Sequence, residues 1–151
     1  MSVDERLQEL GIVLGDPLQP VGNYIGAVTV GNLVFLSGHG PRETDGPVEG
    51  KVGETVTLEQ GQQAARNAGL NMLATLKAEI ENLDRVRRVV KVLGMVNAVP
   101  EFREHPKVIN GFSDPMVEVF GDAGRGGRLA VGMGSLPFQI PVEVEMIVEI
   151  E

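Results

Sequence analysis

Hydrophobic and polar residues change period several times along this 151-residue chain, and each change marks an element. The clearest pattern is C-terminal. Val142, Val144, Met146, Val148 and Ile150 alternate with Glu143, Glu145, Ile147, Glu149 and Glu151. A period of two places the first set on one face of a strand and the second on the other. Leu58, Ala65, Ala68, Met72, Leu76 and Ile80 instead recur at helical spacing, widened by Ala64, Gly69 and Leu73, which predicts a helix over 58–81. Thr57-Leu58-Glu59-Gln60 opens that helix as a capping box. The small residues in its stripe predict close packing on a sheet. The β-branched-rich run over 86–96 predicts a central strand. Tyr24 to Val30 and Leu33 to Ser37 predict two strands joined at Gly31-Asn32, because Gly and Asn tolerate the positive φ of a tight turn.

The remaining segments follow from punctuation. Ser2-Val3-Asp4-Glu5 is a second capping box and Gly11 a stop signal, which predicts a short helix over 3–10. Residues 105–120 have helical character, but Pro115 interrupts the hydrogen-bond ladder. Either Asp114 caps a second helix or one helix is kinked there, and the first arrangement is the expectation. Residues 128–136 and 142–150 predict two strands around the turn Leu136-Pro137-Phe138-Gln139-Ile140-Pro141. Residues 38–56 form a long polar loop, of a length that is often functional or mobile. No linker or repeat divides the chain, so the expectation is one domain over 1–151. The order of elements predicts an α+β fold with helices packed on one face of a mainly antiparallel sheet.

Composition narrows the chemistry. With 42% hydrophobic and 23% charged residues the chain has enough apolar material for a real core. There is no cysteine, which rules out disulfides, thiolate metal sites and a cysteine nucleophile. The net charge of −8 disfavours nucleic acid as a partner, because phosphate contacts need a basic face. Arg85, Arg87, Arg88 and Lys91 form the main basic cluster, which reads as a solvated strand start. His39 and His105 are far apart in sequence, so no metal site is expected. No apolar run approaches twenty residues and no basic, apolar signal segment leads the chain, so a cytoplasmic location without membrane contact is the expectation.

Five polar residues are candidates for chemistry. Arg128 follows the glycine-rich stretch 121–127, where Gly126 and Gly127 leave room for a ligand to approach. A guanidinium there either makes a surface ion pair or grips a carboxylate through two parallel hydrogen bonds. Glu143 lies beside the Pro137–Pro141 turn, where a strand end can line a cleft, whereas Glu145, Glu149 and Glu151 read as a solvated acidic face. Tyr24, the only tyrosine, either fills a strand start or covers a ligand with its hydroxyl. His39 is either a structural residue or an acid–base group. Asn110-Gly111 either shapes a site or interrupts the third helix.

Taken in order, Tyr24, the Gly31-Asn32-Leu33-Val34-Phe35-Leu36-Ser37-Gly38 run, the 62–73 helix, Val89-Val90-Lys91-Val92, Asn110, and Arg128 with Leu136-Pro137 and Val142-Glu143-Val144-Glu145 form a recognisable set. Over residues 20–151 this set resembles the Rid family of reactive intermediate deaminases, also called the YjgF or L-PSP endoribonuclease-like family, which would make 1–20 an N-terminal extension with a short helix. The resemblance implies a chorismate-mutase-like α+β fold and a homotrimer with clefts between subunits. It also implies hydrolysis of enamines or imines of the 2-aminoacrylate type to 2-keto acids and ammonia, with no cofactor. By position, Arg128 would bind the substrate carboxylate and Glu143 would position or activate water, while Tyr24, Asn110, Gly38 and His39 would contact the substrate. Two other functions fit the same resemblance: a non-catalytic trimer that binds keto acids, and an endoribonuclease or translation inhibitor. The chain diverges from common family patterns at Gly126-Gly127, Leu129, Ala130 and His39.

Strand geometry sets a condition on that assignment. If 128–136 and 142–150 form a simple hairpin, Arg128 lies opposite residue 149 and Glu143 opposite residue 134. Six residues of strand then separate the two groups by about 20 Å. They share one small substrate only if the strands pair differently or if they come from different subunits.

Overall fold

The two capping boxes close as the sequence predicts. In the computed structural model, which describes residues 1–42 and 49–151, Ser2 Oγ accepts from the Glu5 amide at 3.1 Å and the Glu5 carboxylate accepts from the Ser2 amide at 2.8 Å. This pair starts α1 (Val3–Glu9). Thr57 and Gln60 repeat the arrangement at 2.9 and 3.1 Å at the head of α2 (Leu58–Ile80). Each box satisfies two amides that a helix start leaves unpaired.

Five strands follow the predicted order: β1 (Ala27–Val30), β2 (Leu33–His39), β3 (Val86–Asn97), β4 (Gly127–Met133) and β5 (Val142–Ile150). Gly31 takes φ +61° in the β1–β2 turn. Residues 43–48 of the polar loop lie outside the described residues. Its far end is less polar in effect than in composition, because Val52 and Val56 are buried and Val52 bridges to Ala98.

The third helix departs from the expectation. It is one continuous helix, α3 (His105–Phe120), with Pro115 inside it. Ile109, Phe112, Met116 and Val119 are all buried along it, and burial of four large side chains outweighs the single ladder bond that Pro115 removes. Gly111 does not break this helix either. It is the point where α3 meets α2, and a Cβ there would run into the Gln62 backbone. Gly111→Ala therefore costs about 3 kcal/mol of stability despite a gain of about 1 kcal/mol in helix propensity. Urea unfolding monitored by circular dichroism measures this as a lower midpoint at unchanged slope.

The strands form one sheet in the order β1-β2-β5-β3-β4. β5 is the central strand, antiparallel to both β2 and β3, while β4 runs parallel to β3 at the sheet edge. The simple β4–β5 hairpin is thereby overturned: β3 lies between the two. The physical reason is the route from β3 to β4 through α3, which brings the chain back to the same end of the sheet and makes a parallel pair.

Both long helices cover one face. Val142, Val144, Met146 and Val148 of β5 and Val92 and Val96 of β3 are buried beneath them with Met72, Leu76, Ile109 and Phe112. Among the described residues no helix covers the opposite face. Phe35 and Leu129 are exposed on it, in a groove shared with Leu93, Ile147, Lys91 and Glu145.

Candidate functional site

Glu143 is held by the strand that carries most of the core. Its neighbours Val142 and Val144 are fully buried beneath the helices, so the pleat turns Glu143 to the uncovered face. There its carboxylate rests against Gly38 of β2, so closely that a Cβ at residue 38 would overlap it. Gly38 is thus required by close approach, and any side chain would displace the carboxylate. Among the described residues Glu143 has no hydrogen-bond or ion-pair partner. Partial burial raises its pKa above the ordinary carboxylate value, and the charge of Glu145 adds to the effect. A half-buried, unpaired carboxyl group with a perturbed pKa is what a general base or water-positioning group requires.

That group opens into a cleft of about 380 Å³ that also includes Tyr24, Gly38, Leu18, Pro20 and Phe138. Tyr24 is half exposed, and its hydroxyl accepts from the Val21 amide at 3.3 Å. This bond closes a small turn that places the ring at the cleft mouth. Phe138 and Gln139 both have φ +57°, a left-handed conformation that costs non-glycine residues of order 1–3 kcal/mol each.

His39 borders the same cleft, but its ring turns away from it. The pairing of β2 with β5 slips between Leu36 and His39, and this bulge moves His39 onto the helix-covered face. There it is buried. Nδ1 lies 2.6 Å from the Ser37 carbonyl and Nε2 lies 2.8 Å from Thr75 Oγ1. Burial lowers its pKa, while the Ser37 carbonyl opposes the shift. With both ring nitrogens engaged, His39 joins β2 to α2, and in this arrangement its ring has no free nitrogen to offer a ligand.

Arg128 lies elsewhere. On edge strand β4 it pairs in register with Val92, whose other neighbour is Met146, so it shares the helix-covered side. Its Nη1 donates to Asn110 Oδ1 at 2.7 Å and to Ser113 Oγ at 3.3 Å, both on α3. Among the described residues the Nε–Nη2 edge of the guanidinium has no protein partner. That edge is the one that can grip a carboxylate through two parallel bonds. Asn110 thus holds Arg128, a second-rank role that its place in a helix did not disclose. Ser113 is a further contact that the sequence patterns did not single out; its position one helical turn after Asn110 was the available signal.

The candidate residues therefore fall into two groups. Glu143 and Arg128 are separated by the full width of β3, about 10 Å across two strand spacings, and by about 10 Å along the strands. They also face opposite sides of the sheet. Tyr24, Gly38 and Glu143 form one group, and Arg128 with Asn110 forms the other. Among the described residues no cluster of three or more His, Asp or Glu side chains converges as a metal site would require. No helix among them is long and apolar enough to cross a membrane.

One mixed sheet covered on a single side by two helices, with a carboxylate cleft on one side and an arginine at the opposite edge, defines an α+β protein of the chorismate-mutase-like class. Residues 4–150 match the family described as YjgF/chorismate mutase-like, putative endoribonuclease, and the chain belongs to that family. Protein TCP17 of Trypanosoma cruzi is 41% identical over 150 residues, covering 98% of this chain and 94% of its own. The solved structure of Atu1372 from Agrobacterium tumefaciens, described as of unknown function, is 42% identical. It superposes with a TM-score of 0.90 over 99% of this chain and 92% of that one. A Shewanella oneidensis structure carrying the endoribonuclease description is 30% identical, with a TM-score of 0.94 over 99% of this chain and all of that one.

Proposed function

We propose that the protein hydrolyses enamines and imines of the 2-aminoacrylate type to 2-keto acids and ammonia, at sites formed between the copies of a homotrimer. The observation that supports this most is the division of the site. Among the described residues, one half offers a carboxyl group without a partner in a cleft, and the other offers the open edge of a guanidinium. Neither half suffices alone. The uncovered sheet face, with Phe35 and Leu129 exposed, supplies an apolar surface through which copies can meet. The solved structure of E. coli TdcF, which has a similar fold, contains bound serine.

The chemistry needs little from the protein. An enamine accepts a proton on carbon to become an imine, whose C=N carbon is already electrophilic. Arg128 of one copy holds the substrate carboxylate and fixes its orientation. Glu143 of another takes a proton from water as the water oxygen bonds to the imine carbon. The C=N π electrons move to nitrogen, which is protonated. The resulting tetrahedral carbinolamine loses ammonia as its hydroxyl proton departs, and the carbonyl of the keto acid forms. The net change is one water consumed and one ammonia released, with no change of oxidation state.

Purified protein is expected to accelerate keto acid release from freshly generated 2-imino acids. A rate equal to buffer across several such imines would sink the enzymatic reading and leave a binding protein. Arg128→Ala is expected to lower kcat/KM about 100-fold or more. Its sedimentation should be unchanged, because Arg128 is exposed and lies outside the hydrophobic core. Full activity in that variant would remove Arg128 from the site.

A further inference from the structure

The cleft beside Glu143 is lined on two sides by apolar side chains that the core does not use. Leu18 and Pro20 form one lip with Tyr24, and Pro137, Phe138 and Ile140 form the other. Phe138 is 71% exposed, although its backbone is held in a left-handed conformation. A large apolar side chain exposed on a strained turn at the cleft is available to contact what binds there.

The turn is pinned from beneath. Gln139 O accepts from the Gly50 amide at 2.8 Å. Asn97, fully buried, donates through Nδ2 to Ile140 O at 3.3 Å and to Gln139 Oε1 at 3.4 Å. Lys51 Nζ ties Asn97 Oδ1 at 2.7 Å to Gly134 O at 2.5 Å. The opposite lip is tied as well, since Arg42 donates to the Asp16 carbonyl and, at 2.7 Å, to Asn71 Oδ1. Hydrogen bonds therefore anchor the 137–140 turn directly and the other lip at Asp16, two residues before Leu18.

Resting on the imine-hydrolase reading, we propose that this cleft selects 2-imino acids with apolar side chains of leucine or phenylalanine size, and that Phe138 is the specificity-determining contact. The substrate carboxylate belongs to Arg128 and the reacting carbon to Glu143. The third substituent on that carbon then lies between the lips, against Leu18, Tyr24 and Phe138. An acidic side chain would meet the Glu143 carboxylate there and is rejected. A methyl-sized group would leave the Phe138 ring in water and gain nothing from it.

Two measurements test this. In the first, kcat/KM is compared for imines generated in situ from leucine and from alanine. The expected preference for the leucine-derived imine is about tenfold or more, and Phe138→Ala lowers that ratio about fivefold or more. In the second, binding of 4-methyl-2-oxopentanoate and of pyruvate is followed by NMR titration, with and without Phe138→Ala. The branched keto acid should bind more tightly, and the variant should lose that advantage. Turnover without a leucine preference, or a preference unchanged in Phe138→Ala, overturns the proposal and leaves the hydrolase reading intact. Absence of turnover together with selective, Phe138-dependent binding of the branched acid overturns the hydrolase reading and supports the selectivity. Absence of both overturns both.

Discussion

Subunits of Arg128→Ala and Glu143→Gln, refolded together, return about a quarter of wild-type turnover although each variant alone is close to inactive. The figure follows from random assembly. In the proposed arrangement each site draws its guanidinium from one copy and its carboxylate from another. The guanidinium side is intact in about half of the sites and the carboxylate side in about half, independently. If both groups served the site of a single chain, every chain in the mixture would lack one of them. The mixture would then stay at the level of its components. Keto acid release measured over a series of mixing ratios, with mass determination to verify exchange, separates the two cases. The separation of Arg128 from Glu143 across β3, and their opposite facing, is the basis of the expected recovery.

Glu143→Gln alone should lower kcat/KM by about 10²- to 10⁴-fold, the usual contribution of a positioned general base. The pH profile of the wild-type protein should identify the group. Burial, followed by the charge of Glu145, raises the Glu143 pKa above its ordinary value of 4.5, and the ionised form is the base. Activity therefore rises with pH through an inflection above 4.5 and then levels off. The sign for stability is opposite. A carboxyl group whose folded pKa is raised favours the folded state while protonated. That contribution is present below the unfolded pKa and is lost as pH rises through the folded one. At neutral pH the variant should thus be far less active yet no less stable than wild type. A destabilised Glu143→Gln protein, or an unchanged pH inflection in its residual activity, would contradict this account.

Much of the fold was legible because its elements carry strong local signals. The Ser2 and Thr57 boxes, the stripe along α2 and the alternation of β5 each act within a few residues, where periodicity and capping dominate. Strand order is a different matter. Neighbouring strands in sequence tend to pair, so β4 and β5 read as a hairpin, yet the return through α3 had already placed β4 on the outer side of β3. Pro115 misled for a related reason, since local propensity says nothing of the four buried side chains around it. At the site, residue types suggested what each group could do, and the family resemblance gathered them into a set. Their division between two sides of the sheet depended on topology. The bulge before His39 was equally invisible, because one inserted residue reverses the face of all that follows without any change in composition.

The central place of β5 has a consequence for how the molecule comes into being. β1 and β2 are adjacent in sequence and pair with each other, and β3 and β4 pair across α3, but among the described residues these two ribbons have no direct bond between them. Two-stranded ribbons are marginal in water. Each must wait for β5, which follows α2, β3, α3 and β4 along the chain, to slide between them and supply both missing ladders. Until β5 is made, the chain thus carries two unfinished sheet edges, an interval in which chaperone cover matters most. Folding is then committed by a single late insertion.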